Sequence, residues 1–508
     1  MPTTRSRFPA SLENSTFYLI GIKGTGMAAL AEILADRRAA VSGSDTEEKF
    51  YTDAVLDRLG IFYHEGFDAD HVDESSGVVV HSLAYTKDAN PEIARAAALG
   101  LPVFTYPEAL GELSRRCTFA GVAGTHGKTT TTAMAGSLVK SLGLPATVLV
   151  GSEVPAFGGR STLSLGDDHL IAESCEYRRS FLLYEPDRIV VTNIEADHLD
   201  YYRDLADIID AFRDFYELLP SGGALIYNAD CPGVQALLGT SAGGGAAEVP
   251  GRPHIRAVPF GRRAAGAYRI ESIETTAGET RFRLAGFTNT YRLRVPGEHS
   301  VYNAAAALAL TCDIAEAEGM VKARGIGEGE GPADASGVQA ALERKLADGL
   351  LAFSGTRRRS EVLGEAAGVL FMDDYAHHPT AVAATLRGLR RFYPRRRIVA
   401  DFMSHTYSRT ASFLNEFGEA FMPAHAVILH EIYASAREQG QESVSGRDLF
   451  RAVARSHPDV RYYEDPLDAV EDLESRLSAG DLFITMGAGS NWRLGRLLYE
   501  RFSAKEHG

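Results

Sequence analysis

The 508-residue sequence is poor in cysteine, and the few cysteines are widely separated. Cys117, Cys175, Cys231 and Cys312 form no CxxC pair, which argues against a disulfide framework or a zinc cluster built on cysteine. This usage is typical of a protein in a reducing compartment. We therefore expect the four cysteines to contribute packing, and none of them to act as a covalent nucleophile.

Basic residues are scarce relative to acidic ones. Lys and Arg total 52 against 67 Asp and Glu, which gives a net charge of −15. Because contacts to nucleic-acid phosphates need a basic surface, this balance opposes broad nucleic-acid binding. Small anionic ligands are still compatible with it, since a local pocket can be positive on an acidic protein.

Long apolar runs are absent as well. No stretch approaches the roughly 20 apolar residues that a membrane-spanning helix needs. The N-terminal segment MPTTRSRFPASLENS has basic residues but no apolar core behind them, and the first apolar run, FYLIG, has the character of a strand. We therefore expect a cytoplasmic protein with no membrane partner.

The sequence does contain a strand–turn–helix pattern that starts three times, at FYLIG, TFAGVAG and GVLFMDD. A chain of this length exceeds what one core serves, so two to four domains are expected, and the pattern favours three α/β domains at 1–114, 115–353 and 354–508. Two glycine-rich stretches, 240–251 and 323–337, are predicted to be surface loops or linkers.

The strongest single motif is the run GTHGKT at 124–129, between a predicted strand and a predicted helix. There, backbone N–H groups and the helix N-terminus can surround phosphate oxygens, with Lys128 on the terminal phosphates and Thr129 on magnesium. The strict Walker spacing fails, because Val122 stands where that motif has its first glycine. The alternative interpretation is a structural glycine turn with an exposed lysine.

Two later segments offer ligands for magnesium, which prefers oxygen. Glu173 ends the strand HLIAE, and NIEADHLDYY places Asn193, Asp197, His198 and Asp200 after the strand RIVVT. That is the carboxyl edge, where open α/β sheets bind ligands. A DHLD run alone more often caps a helix, but a phosphate loop in the same domain favours a functional role.

The first glycine turn, GIKGTGM, has G-x-x-G-x-G spacing rather than the dinucleotide order G-x-G-x-x-G, so bound NAD is disfavoured. The turn still presents a helix N-terminus to a diphosphate, and SGSD at 42–45 ends the next strand, within reach of a ribose or phosphate. A purely structural turn is an equally good interpretation.

Two polar clusters follow consecutive strands in the third unit. DDYAHHPT at 373–380 combines carboxylate, phenol and imidazole groups, and SHTYSRT adds His405, Tyr407 and Arg409. Helix capping or core packing could explain either cluster alone. Their occurrence at neighbouring strand ends predicts a ligand site.

Together these segments resemble the Mur ligases. GIKGTGM, SGSD, DANPEI, AGTHGKTTTTAM, TNIEADHLDYY, GTRRRSE, DDYAHHPT, HTYSRT and MGAGS occur in the family's order and span nearly the whole chain. The resemblance implies an N-terminal Rossmann-like domain for a UDP-sugar, a central P-loop ATPase domain with a mainly parallel sheet, and a C-terminal Rossmann-like domain that contributes to the ATP and amino-acid sites.

The resemblance also implies a role for each matching residue. The implied catalytic residues are Lys128, Glu173, His198, Arg359 and Asp374, with Arg358 as the alternative to Arg359. The implied ATP site includes Gly124, Thr125, His126, Gly127, Lys128, Thr129, Thr130, Asn303, Arg359 and Asp374. The implied ligands of two Mg²⁺ ions are Thr129, Glu173 and His198. The implied UDP-sugar contacts are Gly21, Gly24, Thr25, Gly26, Met27, Ser44, Asp45 and Ser82, and the implied amino-acid contacts are Tyr375, His377, His405 and Arg409.

The implied reaction is ATP-dependent ligation of L-alanine to the lactate carboxylate of UDP-N-acetylmuramate through an acyl phosphate. It would serve peptidoglycan precursor synthesis, and hence cell-wall growth, cell shape and division. Two alternatives stay open: a recycling ligase that adds a tripeptide to the same nucleotide sugar, and a non-catalytic nucleotide-binding module. The HTYSRT segment and the chain length favour L-alanine. We expect a monomer or weak homodimer whose domains close on their ligands.

The sequence also departs from the family pattern at several positions. Lys23 replaces a frequent glycine in the first turn, Ser300 stands where the family has an amide, and ESCEYRRSFL follows the metal-binding glutamate. None of these changes removes one of the implied catalytic residues.

Overall fold

The computed structural model describes residues 8–50, 52–199, 201–239, 248–249, 252–320, 335–434 and 444–507. Within these ranges the chain forms four β-sheets flanked by helices, which confirms the predicted α/β class. No helix in the described part is long and apolar enough to cross a membrane.

The first unit is an open parallel sheet. Its elements are β1 (Thr16–Ile20), α1 (Thr25–Asp36), β2 (Ala40–Asp45), α2 (Asp53–Leu59), β3 (Phe62–Glu65), β4 (Val78–His81), α3 (Pro91–Ala98), β5 (Val103–Thr105) and α4 (Tyr106–Ser114). The strand order is β3-β2-β1-β4-β5. Strand β1 takes the centre because its FYLI residues are buried, as a parallel strand covered on both faces requires. Its C-terminal end leads through the first glycine turn into α1.

The central unit carries the phosphate loop on the middle of a larger sheet. Its elements are β6 (Thr118–Ala123), α5 (Lys128–Leu142), β7 (Ala146–Val154), β8 (Arg160–Ser164), β9 (His169–Glu173), β10 (Arg188–Val191), α6 (Leu205–Tyr216), β11 (Ala224–Asn228), α7 (Pro232–Leu238), β12 (Glu248–Val249) and β13 (Arg252–Phe260). The order is β12-β13-β11-β10-β6-β9-β7-β8, parallel except for the antiparallel edge pairs β12–β13 and β7–β8. Strands β9 and β10 flank β6, so Glu173 and the NIEADH segment leave the sheet beside the loop.

A small antiparallel sheet and two helices complete this unit. They are β14 (Ile270–Thr276), β15 (Glu279–Leu284), β16 (Thr290–Leu293), α8 (Glu298–Ala317) and α9 (Ala335–Ala352). Helices α8 and α9 pack on α5 through an apolar core. Most of the two predicted loops, 240–251 and 323–337, lies outside the described residues. In the described parts of these loops, Glu248–Val249 pairs as a strand and helix α9 begins at Ala335.

The third unit is a six-stranded sheet of order β17-β18-β22-β19-β20-β21, parallel except at β17–β18. Its elements are β17 (Glu361–Ala366), β18 (Val369–Asp374), α10 (Pro379–Phe392), β19 (Arg397–Met403), α11 (Tyr407–Ser412), α12 (Leu414–Ala420), β20 (Ala426–Leu429), α13 (Gly446–Ala454), β21 (Val460–Tyr462), α14 (Val470–Arg476), β22 (Asp481–Gly487) and α15 (Trp492–His507). Strand β22 is buried along its whole length. The domain boundaries drawn from the sequence stay predictions.

Polar contacts join the three units. Glu32 of the first unit is fully buried and accepts hydrogen bonds from the Ser161 N–H (3.0 Å) and the Thr162 hydroxyl (3.1 Å) of the central unit. Arg357, at the start of the third unit, pairs with Glu153 at 2.6 Å. These contacts hold the first and third units against the central unit.

Candidate active site

The phosphate loop requires glycine at two positions. Gly124 has φ of 135° and Gly127 has φ of 86°, a region that L side chains rarely adopt. A β-carbon on Gly124 would collide with the Thr192 hydroxyl, and one on Gly127 would lie 2.5 Å from the Asn303 side-chain oxygen. Since Gly127 is the N-cap of α5, the N–H groups at the start of this helix face the loop.

Lys128 is folded over the loop and paired with a carboxylate. Its Nζ donates to the carbonyls of Gly124 and Thr125 and lies 3.0 and 3.1 Å from the two carboxylate oxygens of Glu176. Burial alone would lower the pKa of Lys128, but the Glu176 carboxylate raises it above its ordinary value. Lys128 is therefore a permanent cation at the loop.

The predicted magnesium ligands fall into two adjoining groups. Thr129 donates its hydroxyl proton to Glu173 Oε2 (3.0 Å), and the second oxygen of Glu173 accepts from the Gly151 N–H (2.6 Å). His198, which has φ of 53°, lies with its Nε2 3.9 Å from Glu176 Oε1. The Thr129 hydroxyl and the Glu173 carboxylate fit a magnesium ion, because hydroxyl and carboxylate oxygens are the ligands it prefers.

A cavity of about 200 Å³ lies between the loop and the third unit. It is lined by predicted ATP-site residues, namely His126, Gly127, Thr130, Asn303, Arg359 and Asp374. Asp374 is 5% exposed and accepts from the backbone N–H groups of Ser360 (2.7 Å) and Ala376 (2.8 Å), so it also shapes the cavity wall.

The two candidate arginines have different surroundings. Arg358 pairs with Asp373 (3.1 Å) and donates to the Gly487 carbonyl (2.8 Å), while Arg359 borders the 200 Å³ cavity. Both guanidinium groups lie over the Tyr375 ring. Of the two, Arg359 is therefore the one placed to reach a ligand in this cavity.

A larger cavity of about 560 Å³ lies where all three units meet. Its lining includes Thr25 and Phe50 of the first unit, Glu173 and Cys175 of the central unit, and Trp492 of the third. Cys175 is exposed, so the expectation that every cysteine serves packing is wrong for this residue. The cavity adjoins the phosphate loop, since Thr129 also lines it.

The predicted UDP-sugar residues surround the first glycine turn. Thr25 reaches the larger cavity, and Met27 is buried behind it. Ser44 donates to Glu92, while Asp45 accepts from the Lys23 N–H at 2.7 Å. The remaining predicted residues lie in or beside the turn and are Gly21, Gly24, Gly26 and Ser82. Ser44 and Asp45 therefore support the turn through bonds within the first unit.

The predicted amino-acid cluster meets the central unit at Asp197. Arg409 donates from Nε (3.2 Å) and Nη2 (2.8 Å) to Asp197 Oδ1, across a sequence separation of 212 residues. Burial alone would raise the pKa of Asp197, but Arg409 lowers it well below its usual range. His377 is held through its Nδ1 by the Tyr375 carbonyl (2.8 Å), and burial lowers its pKa. His405 lies against Tyr433.

Three family profiles match successive parts of the chain. They are described as Mur ligase family, catalytic domain (residues 16–118), Mur ligase middle domain (122–311) and Mur ligase, glutamate ligase domain (358–489). A relative from Treponema pallidum (strain Nichols), named UDP-N-acetylmuramate–L-alanine ligase, is 46% identical over 98% of this chain and 99% of its own. The chain belongs to the Mur ligase family.

Other members of the family agree with this assignment. A UDP-N-acetylmuramate–L-alanine ligase from Desulfitobacterium hafniense is 38% identical over 95% of this chain and 98% of its own. The solved structure of a UDP-N-acetylmuramate-alanine ligase from Thermotoga maritima matches with a TM-score of 0.74 at 23% identity, covering 96% of this chain and 99% of that one. A murein peptide ligase from Psychrobacter arcticus matches with a TM-score of 0.66 at 21% identity, with the same coverage. These structures confirm the Mur ligase fold.

Two contributors to the site of this Mur ligase were missed or left without a role by sequence reasoning. Glu176, the partner of Lys128, lies in the segment noted only as departing from the family pattern. Asn193 follows strand β10, and its position gave no specific role. Its side-chain oxygen accepts from the His126 N–H, and its side-chain nitrogen donates to the His126 carbonyl, both at 2.9 Å. Asp200 lies outside the described residues.

Proposed function

We propose that this chain catalyses ATP-dependent ligation of L-alanine to the lactate carboxylate of UDP-N-acetylmuramate. The observation that carries the proposal is its 46% identity, along almost the full length of both chains, to a relative named for that ligation. The site supports the proposal in two ways. The phosphate loop and Arg359 line the 200 Å³ cavity. Thr129, Glu173 and arginines 357–359 line the larger cavity beside it.

The residues suit acyl activation followed by amine capture. A carboxylate is a poor acyl donor because its leaving group would be oxide, so ATP must first convert it to an acyl phosphate, releasing ADP. Attack by the L-alanine amine then expels phosphate. Both steps place negative charge on oxygens, which Lys128 and the N–H groups at the start of α5 stabilise. Magnesium held by Thr129 and Glu173 would supply further charge neutralisation.

The substrates take separate positions in this proposal. ATP occupies the 200 Å³ cavity, with Asn303 near adenine and Arg359 and Asp374 on the side of the third unit. The UDP-sugar approaches from the first glycine turn into the larger cavity, which Thr25 and Glu173 both line. There its lactate carboxylate can meet the terminal phosphate of ATP near Lys128.

L-Alanine is assigned to the cluster around Arg409. The ion pair with Asp197 uses Nε and Nη2, whereas Nη1 faces the His405 carbonyl at 3.5 Å, a long contact that a substrate carboxylate can replace. Burial lowers the pKa of His377, and Arg409 is close enough for its guanidinium to lower the pKa of this imidazole further. The Tyr375 ring packs against His377 at 5.2 Å between centroids. A second magnesium ion is proposed at His198 and Glu176. We also propose that the protein is a monomer or a weak homodimer and that it acts in the cytoplasm.

Phosphate release in the presence of ATP, Mg²⁺ and UDP-N-acetylmuramate tests the proposal. L-Alanine should stimulate release, and mass analysis should show the nucleotide sugar extended by one alanine. Stimulation by the L-alanyl-D-glutamyl-meso-diaminopimelate tripeptide alone would instead identify a recycling ligase. Nucleotide binding without release under any acceptor would identify a non-catalytic module.

A further inference from the structure

Three side chains from three separate loops meet beside the phosphate loop. His126 comes from the loop itself, Glu195 follows β10, and His378 precedes α10 in the third unit. One potential ligand atom from each lies within 4.8 Å of the other two. His126 Nε2 is 3.6 Å from Glu195 Oε2, and the two imidazole rings have centroids 5.1 Å apart.

Both imidazoles carry a buried nitrogen without a hydrogen-bond partner among the described residues, although His126 Nε2 lies at ion-pair distance from Glu195. Nε2 of His126 and Nε2 of His378 make no hydrogen bond to any residue in the described part of the chain. His378 is only 5% exposed. Because buried polar atoms in native proteins nearly always have a partner, two such nitrogens in one cluster point to a bound ligand or ion between them.

The surroundings hold the backbone of His126 and the ring of His378. The backbone of His126 is clamped by the side-chain amide of Asn193 and by the Thr192 hydroxyl, which donates to the His126 carbonyl at 2.6 Å. The His378 ring packs edge-on against Phe413, with centroids 4.6 Å apart. The His126 backbone and the His378 ring are therefore held in place, while the His126 and Glu195 side chains are 23% and 36% exposed.

We propose that His126, Glu195 and His378 bind a divalent transition-metal ion of the zinc type, at a site separate from the magnesium ligands. Two imidazoles and one carboxylate are a donor set that zinc favours, whereas magnesium prefers sites in which oxygen ligands predominate. Zinc–nitrogen bonds of about 2.0–2.1 Å place tetrahedral donors about 3.4 Å apart, so the donor atoms must close by up to about 1.4 Å.

The protonation states suit metal binding. Burial lowers the pKa of His378 to about 4, and the neighbouring His126 lowers the pKa of Glu195, so at neutral pH His378 is uncharged and Glu195 ionised. His378 Nδ1 accepts from the Thr380 N–H at 3.3 Å, which leaves the ring proton on Nε2. Coordination through Nε2 requires that proton to move to Nδ1, so the long bond from the Thr380 N–H is lost and the bond to the metal replaces it.

An ion at this site would tie the phosphate loop to the third unit. His126, Glu195 and Thr380 line the same 200 Å³ cavity as Asn303 and Asp374. Zinc there would fix the separation of the two units and crowd the nucleotide. The site is therefore expected to be inhibitory toward nucleotide binding.

Zinc binding to the tag-free full chain, without magnesium or nucleotide, tests the proposal. Competition with a chromophoric chelator gives the affinity, and Co²⁺ absorption reports the ligand geometry. His378→Asn and His126→Asn should each weaken Zn²⁺ binding by about 100-fold or more, since loss of even an outer-shell partner costs 10–100-fold. Asn at 378 keeps a favoured N-cap for α10, so folding is preserved and can be checked by thermal unfolding.

Two matched controls locate the ion. His169→Asn removes a buried histidine that pairs with Glu318 at 2.9 Å and should leave Zn²⁺ affinity unchanged. His198→Asn removes the histidine of the magnesium region and should also leave it unchanged. Zinc affinity that survives both His126→Asn and His378→Asn, or that is lost in His198→Asn, overturns the proposal.

Discussion

Removal of the Lys128 ammonium tests two points together: the phosphate-binding role of the loop and the ion pair between Lys128 and Glu176. At the observed 3.0 Å from Glu176, the attraction is about 5.5 kcal/mol at an effective dielectric constant of about 20, before desolvation. Removing one partner of a buried pair typically costs about 3–5 kcal/mol. The Glu176 side chain is 3% exposed but that of Lys128 is 17% exposed, so the low end, about 3 kcal/mol, applies.

Lys128→Ala is therefore expected to lower both stability and turnover. The free energy of unfolding should fall by about 3 kcal/mol, because the Glu176 carboxylate stays buried without its cation. Turnover should fall by about 10²–10³-fold or more, the usual cost of losing one donor to a developing oxyanion. Adding Glu176→Gln removes the unpaired charge, so the double variant should regain most of the stability but none of the activity.

Urea unfolding followed by circular dichroism, with phosphate release measured in parallel, separates these effects. Lys140→Ala, on the exposed side of the same helix, is the matched control and should change neither quantity appreciably. Near-normal phosphate release from Lys128→Ala would refute the phosphate role. A double variant as unstable as Lys128→Ala would refute the claim that the unpaired carboxylate causes the loss.

Three further predictions concern the interface with the third unit. Burial lowers the pKa of His378 from 6.5 to about 4, so the unfolded chain binds a proton first and stability falls as pH falls below 6.5. This contributes about 1.3 kcal/mol between pH 7.5 and 5.5, and pH-dependent unfolding should show that His378→Asn lacks it. Asp197→Asn should lower kcat/KM for L-alanine by up to about 10²-fold, because Arg409 loses its orienting partner; steady-state kinetics with varied L-alanine measure this. Arg359→Ala should raise KM for ATP, whereas Arg358→Ala should mainly lower the unfolding temperature, and equal effects on KM would contradict the distinction drawn from their contacts.

The sheets and the phosphate loop could be predicted because their signals are local. A buried apolar strand followed by glycines and a helix, as at β6 and α5, is determined within about 25 residues of sequence. Gly124 and Gly127 follow from the same local demand, since the loop needs backbone conformations that other residues resist. The family resemblance then placed Asn303 and Asp374 at the cavity, which local patterns alone do not do.

Glu176 could not be predicted in this way because its position depends on irregular backbone. It follows β9 by three residues, and the next turn passes through Arg178 and Arg179 with φ of 54° and 55°. No periodicity specifies such a path. The Asp197–Arg409 ion pair could not be predicted for another reason. The sequence places both residues near strand ends, but their pairing depends on how the central and third units lie relative to each other.

These two pairs share a design. In each, a cation assigned to a ligand anion is held by a protein carboxylate: Glu176 for Lys128, and Asp197 for Arg409. A phosphate or substrate carboxylate therefore replaces or shares an existing ion pair rather than meeting a free charge. Since the cation is desolvated and paired either way, each exchange adds little net affinity, and its effect lies in orientation. Arg409 also joins two units, so its partners couple the position of the third unit to the occupant of the site.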